Sequence, residues 1–209
     1  IVRDYLLENP EVIVEVLQRI QERRQQAQRE QYQANLVSAQ DGIFDETRDP
    51  FAGNPEASVT VVEFFDYHCP FCKRMANGIA LLTEQDDDVK VVFKEFPVFG
   101  PESVFAARAA LASKKQGMYR EFHLALMRNR GRLNESIVMR LADRVGLDTD
   151  RLREDMQAPE IEETIRHNLQ LAQRLGIRGT PSFIIGDELV PGALDISTMR
   201  RLIQAKRQS

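Results

Sequence analysis

The chain has 209 residues, 43% of them apolar and 29% charged; this is enough to bury a core without a metal or disulfide to hold it, and it is not the composition of a disordered segment. A net charge of -4 and the lack of a basic block argue against a nucleic-acid partner, which needs a concentrated positive surface. No apolar run reaches the roughly 18 residues that would span a bilayer.

Asn9-Pro10-Glu11 reads as an N-cap, a first-turn proline and a negative charge at a helix start. No further Gly or Pro occurs up to about Gln40, so the spacing predicts one long helix. Its apolar residues come early, at Val12, Ile13, Val14, Val16, Leu17 and Ile20, whereas Gln and Arg dominate from 21 to 33. A helix that is polar all round has no face to lay on a core. The second stretch is therefore expected to be a solvated stalk, about 20 Å long at about 1.5 Å per residue. Held away from the main body, the apolar stretch with Tyr5, Leu6 and Leu7 is expected to self-associate through residues 1–20. The alternative is a brace folded back on the domain.

Residues 41–58 hold turn formers, Asp49-Pro50 and Gly53-Asn54-Pro55, and read as a linker with a short edge strand near Ile43 and Phe44. Residues 59–65 are β-branched or aromatic almost throughout, as in a central strand covered on both faces. A helix is predicted over 70–84 and a second strand over 89–96. Every segment of 101–176 has helical spacing, with breaks at Gly117, Gly131 and Gly146 and an N-cap at Asn134. A hairpin around Gly186-Asp187 joins strands at 182–185 and 188–190, and a last helix covers about 195–208. A helical block of this size between the halves of a small α/β unit is an inserted subdomain. The expected organisation is an N-terminal arm and stalk over 1–40 and a main domain over 41–209, with the insertion at about 101–176.

Both cysteines sit in Cys69-Pro70-Phe71-Cys72, immediately after a strand and at the start of a helix. The positive helix end and its free N–H groups favour a thiolate there, so Cys69 is expected to be the nucleophile. Pro70 needs no N–H partner in the first turn. Cys72 lies one turn on, more buried and within reach of Cys69, and is expected to resolve a mixed disulfide. The same spacing could be half of a zinc site, but four ligands are needed and there is no second cysteine pair. His68 either raises the thiolate fraction of Cys69 or packs beside it. His123 and His167, in the helical block, read as solvated or core-filling. Glu63 and Lys94 are charges within apolar runs, each either buried or solvent-facing.

The segment Val62-Glu63-Phe64-Phe65-Asp66-Tyr67-His68-Cys69-Pro70-Phe71-Cys72 resembles the active-site strand and helix start of the DsbA-like thioredoxin superfamily. Thr180-Pro181 followed by Ser182-Phe183-Ile184-Ile185-Gly186 resembles its cis-proline loop and the next strand, and the likeness spans about residues 43–208. It implies an α/β thioredoxin fold with an inserted helical subdomain behind an N-terminal helical arm. It also implies a cis Thr180-Pro181 bond whose loop offers backbone groups to a substrate strand. Glu63 is then a buried acid that moves the proton of Cys72, its pKa raised toward neutrality, with Lys94 as its partner. The redox-active pair Cys69–Cys72 is the only cofactor implied, with no metal. Thr180 is similar to the hydroxyl-bearing residue of disulfide isomerases, where strongly oxidising DsbA members carry Val. The arm is similar to that of the suppressor-of-copper-sensitivity protein C (ScsC) and Com1-type group, some of which are arm-held trimers that act as isomerases.

The resulting expectation is a periplasmic disulfide isomerase, its signal peptide removed, acting on cysteine-containing exported proteins. It would be kept reduced by a membrane thiol reductase and form a homo-oligomer, favouring a trimer, through residues 1–40. The alternatives are a DsbA-type dithiol oxidase, and a copper-binding or chaperone-like module using Cys69 and Cys72 as soft ligands.

Overall fold

The computed structural model describes residues 2–43 and 48–208, and the chain divides into two units, Ile1–Ser38 and Ala39–Ser209. In the first, α1 (Val2–Glu8) is followed by α2 (Glu11–Ile43), whose last residues belong to the second. Asn9 does not play the expected capping role. Its side-chain amide donates to the carbonyl of Tyr5 at 2.9 Å, closing α1, and only its backbone carbonyl serves α2, accepting from Val12. The short helix just before it ends on the Tyr5 carbonyl, which accepts from the Asn9 backbone N–H at 2.9 Å and draws the side chain to its second lone pair. Residues 21–27 are exposed throughout. One-turn pairs support the helix around them: Arg19 with Glu15 at 2.7 Å, and Gln26 with Glu30 at 3.0 Å. Val2, Tyr5, Leu7, Val14 and Leu17 are exposed apolar residues.

In the second unit, β1 (Phe51–Gly53), β2 (Val59–Phe65), β3 (Val89–Glu95), β4 (Ser182–Ile185) and β5 (Glu188–Pro191) form one sheet in the order β1-β3-β2-β4-β5. β2 and β3 are parallel and joined by α3 (Pro70–Gln85); the other pairings are antiparallel. Between β3 and β4 lie α4 (Pro101–Ser113), a 3₁₀ turn (Lys114–Gln116), α5 (Tyr119–Arg128), α6 (Glu135–Arg144), α7 (Thr149–Asp155) and α8 (Pro159–Leu175), and α9 (Ile196–Lys206) follows β5. Asn134 caps α6 as expected, accepting from the Ile137 N–H at 3.0 Å.

The inner strands β2, β3 and β4 are buried on both faces, which is why β2 and β3 read as continuous apolar runs. Val59, Val61 and Phe65 join Val89, Val91 and Phe93 in the core that includes α3 and α5; Val62, Phe64 and Val92, of opposite parity, are buried on the other face. The edge strand is Phe51–Gly53 and not the neighbourhood of Ile43. Ile43 ends α2 and is 2% exposed, so its apolar side chain serves packing rather than strand pairing; Phe44 lies outside the described residues. Gly53 is needed in β1: its φ is +92°, and a Cβ would collide with the carbonyl oxygen of Val89.

Candidate active site

Cys69 is the N-cap of α3, extended at φ -75° and ψ 116°, with Pro70 in the first turn. No side chain caps this helix end, which leaves first-turn N–H groups available to an anion beside them. The Cys69 N–H donates to the Asp66 carbonyl at 3.1 Å, and the Cys69 carbonyl accepts from Lys73 at 3.1 Å, which starts the helix. The Cys69 thiol donates to the carbonyl oxygen of Thr180 at 3.2 Å. The Thr180–Pro181 bond is cis, as the resemblance implies, and the Thr180 hydroxyl is buried without a hydrogen-bond partner. Both cysteines are free thiols and both are buried, at 1% and 0% exposure, so the expected contrast in burial between them is slight. Phe71, Val98 and Phe99, on the flanking segments, are exposed.

Glu63 sits in β2 with Phe93 on one side and Phe183 on the other, in register with both. It is 2% exposed, and its Oε1 has no hydrogen-bond partner. Burial pushes its carboxyl up to about 8. The Cys72 thiol is pushed up too, first by burial and next by the charge of Glu63. The charge of the buried acid is thus felt at the buried thiol, and burial makes each a poor anion.

Lys94 is not the partner of Glu63, nor is it a surface lysine. The parallel register sets Glu63 beside Phe93 and Phe64 beside Lys94, and a strand sends successive side chains to opposite faces. Lys94 thus lies across the sheet from Glu63, fully buried, paired with the Asp49 carboxylate and donating to the Gly42 carbonyl at 2.9 Å. Burial raises the Asp49 carboxyl, and the ammonium of Lys94 is the first of the groups opposing that rise.

His68 is turned toward α4. Its N–H donates to Asp66 Oδ1 at 2.7 Å, and its Nδ1 lies 3.0 Å from Ser103 Oγ, which itself donates to Asp66 Oδ1 at 2.8 Å. Among the described residues it makes no hydrogen bond to Cys69. Asp66 Oδ2 accepts from the Val98 and Phe99 N–H groups at 2.8 and 3.2 Å. One buried carboxylate therefore ties the Cys69 turn, the segment after β3 and the start of α4 together. Beside it, Glu95 Oε1 accepts from Tyr67 at 2.8 Å and Tyr119 at 2.9 Å, and Tyr67 Oη lies 3.0 Å from His123 Nδ1. Burial holds Glu95 well above the usual carboxylate range and lowers His123 to about 3. Asp66 stands in the segment that carries the family resemblance but had no role assigned to it, and Ser103 and Glu95 gave no site expectation at all. For Glu95 a signal existed, since it adjoins Lys94 in an apolar run and has the opposite parity.

A strand-to-helix turn carrying two thiols, closed by a cis-proline loop and backed by a neutral acid, defines a thiol–disulfide oxidoreductase on a thioredoxin fold. Residues 60–204 match the DSBA-like thioredoxin domain, and residues 1–27 match the copper resistance protein ScsC N-terminal domain. The chain belongs to the DSBA-like thioredoxin domain family. Similar solved structures include a thioredoxin-like oxidoreductase from Silicibacter pomeroyi DSS-3, 47% identical with a TM-score of 0.79, covering 81% of this chain and 98% of that one. BcfH of Salmonella enterica Typhimurium is 29% identical with a TM-score of 0.84, covering 100% of this chain and 93% of that one. Proteus mirabilis ScsC in a compact conformation is 30% identical with a TM-score of 0.76, covering 99% and 94%. Curated relatives include the Na(+)/H(+) antiporter NhaA 1 of Mycobacterium sp. (strain KMS), 31% identical over 168 residues and 78% of this chain; the chain spans only 27% of that protein's length.

Proposed function

We propose that the chain is a protein disulfide isomerase and reductase acting on cysteine-containing exported proteins in the periplasm. The observation that carries this reading is the Cys69 thiol held 3.2 Å from the Thr180 carbonyl beside a cis proline. In the first step the Cys69 thiolate attacks a substrate disulfide: the Cys69–substrate bond forms, and the other substrate sulfur leaves as a thiolate. Re-attack on this mixed disulfide by a second substrate thiolate re-pairs the substrate and returns Cys69. Alternatively, Cys72 attacks the Cys69 sulfur and its proton passes to Glu63; the internal disulfide forms and the substrate leaves reduced. A membrane thiol reductase then returns two electrons to the pair.

Thr180 supports isomerase over oxidase work, and its loop offers backbone groups to an extended substrate. Exposed Phe71, Val98 and Phe99 give an unfolded chain apolar surface to rest on. The N-terminal residues support a homo-oligomer, a trimer, held through residues 1–40: Tyr5, Leu7, Val14 and Leu17 are exposed apolar side chains within a stretch that matches the ScsC N-terminal domain. Active sites held by one arm face a shared substrate, and the polar stalk spaces them.

The test is repair of scrambled ribonuclease by the full chain and by a chain lacking residues 1–40, alongside mass in solution. The full chain is expected to be trimeric and to repair the substrate; the truncated one is expected to be monomeric, to lose repair and to keep insulin reduction. A full chain that oxidises reduced ribonuclease but leaves scrambled ribonuclease unrepaired is an oxidase. A truncation that alters neither mass nor repair removes the arm from the function.

A further inference from the structure

Tyr67, Glu95, Tyr119 and His123 form a buried cluster that the exchange steps above do not use. Tyr67 has one hydroxyl proton. Directed to Glu95, it leaves the Tyr67 oxygen as the acceptor for His123, so Nδ1 carries the imidazole proton and Nε2 of the neutral ring keeps its lone pair. The ring is fixed in place, edge-on to Phe65 at 5.0 Å and tilted over Phe93 at 4.6 Å between centroids.

His123 and Glu63 line the same cavity of about 10 Å³ between the sheet, α3 and α5, with Phe93, Ala76 and Ile79 as its apolar wall. That is space for about one water molecule. A water there needs polar partners, and of the four polar residues lining the cavity Thr83 already donates to the Ala80 carbonyl and Arg120 is paired with Glu84, which leaves Glu63 Oε1, without a partner, and the ring of His123. The geometry points to a single buried water held between Glu63 Oε1 and His123 Nε2, which makes His123, a residue of the helical insertion, a positioning residue for the proton leaving Cys72.

This inference rests on the reading of Glu63 as the acceptor of that proton. The water suits both states of the acid, accepting from the protonated carboxyl or donating to the carboxylate, while its other hydrogen goes to Nε2. The titratable or charged groups facing Glu63 are Cys72 from α3 and His123 and Arg120 from α5; its neighbours in the sheet, Phe93 and Phe183, carry no charge. Arg120 is engaged with Glu84 at 2.6 Å. His123→Phe removes the acceptor and dries the cavity, leaving the carboxylate with no hydrogen-bonding water and so harder to form.

The test follows the reduced full chain with saturating oxidised glutathione, using acid quench and mass spectrometry to time the resolving step across pH. In that step the Cys69–glutathione bond breaks, the Cys69–Cys72 bond forms, glutathione leaves as a thiolate and the Cys72 proton goes to Glu63. His123→Phe is expected to move the midpoint of the profile up by about one unit, so that resolution is about tenfold slower at neutral pH and equal to wild type in alkali. His123→Gln, which retains an acceptor, is expected to keep most of the wild-type profile. Combining His123→Phe with Glu63→Gln should add nothing to Glu63→Gln alone.

An unshifted profile in His123→Phe, while Glu63→Gln flattens it, overturns the water bridge and leaves Glu63 in its role. A profile untouched by Glu63→Gln overturns that role as well. Where the Phe variant does not fold, a high-resolution crystal structure of the reduced wild type decides: an ordered water bonded to both atoms supports the bridge, and a dry cavity overturns it.

Discussion

Replacing Glu63 by Gln removes the ionisation of a buried acid while nearly keeping its shape, and its effect on stability has a definite sign. The carboxyl titrates at about 8 in the folded protein against an ordinary value of 4.5, because burial disfavours its charge. Between those two values the folded chain holds a proton that the unfolded chain has released, so stability falls as pH rises through the window and the loss is complete above about 8. The slope is roughly 1.4 kcal/mol per pH unit, so from 4.5 to about pH 7 wild type loses on the order of 3 kcal/mol. Glu63→Gln does not carry this loss. It is expected to be more stable than wild type by about 3 kcal/mol near pH 7 and to differ by no more than about 1 kcal/mol near pH 4, where both side chains are neutral. Urea unfolding of the reduced full chains at the two pH values measures the difference. Equal differences at both pH values, or a Gln variant less stable near neutrality, would show Glu63 ionised and partnered in the folded protein. Burial would then not be what sets its protonation.

The Cys72→Ser variant is expected to accumulate a mixed disulfide between Cys69 and substrate, seen as a mass adduct, while Cys69→Ser abolishes insulin reduction; residual reduction by Cys69→Ser would put the nucleophile elsewhere. Lys94→Met takes its ammonium partner from buried Asp49, leaving Asn168 as its side-chain hydrogen-bond partner, and is expected to lower unfolding stability by about 3 kcal/mol or more. Adding Asp49→Leu should recover most of that loss, and an unchanged urea midpoint in the single variant would show the pair to be dispensable.

Much of the site was legible because its signals are short-range. A cysteine followed by proline at the junction of a strand and a helix announces a helix N-terminus, and both features depend on the few residues around it. The Thr180-Pro181 loop was recognised only through its resemblance to the family's loop, because most X–Pro bonds are trans. Glu63 stood out as one charge within an apolar strand, but that contrast left it either buried or solvent-facing, and only the family resemblance implied its burial. Asn9 shows how far local reading reaches: the residue does act at a helix end, but α1, ending just before it, competes for its side chain.

Lys94 and Glu95 mark where that reach stops. Both are charges in one apolar run, and choosing which of them shares a face with Glu63 requires the register of β2 on β3, which rests on contacts between strands rather than on either strand's composition. Asp66 finds Ser103, and Tyr67 finds His123, across separations of 37 and 56 residues. Residue type, spacing and helix-end electrostatics were enough to name the redox pair, and the resemblance of its two motifs to a known family implied the fold. Which buried groups meet, and therefore which carry charge and which stay neutral, was left to the packing of distant elements, because desolvation and hydrogen bonding depend on what surrounds a side chain in space and not on what precedes it in the chain.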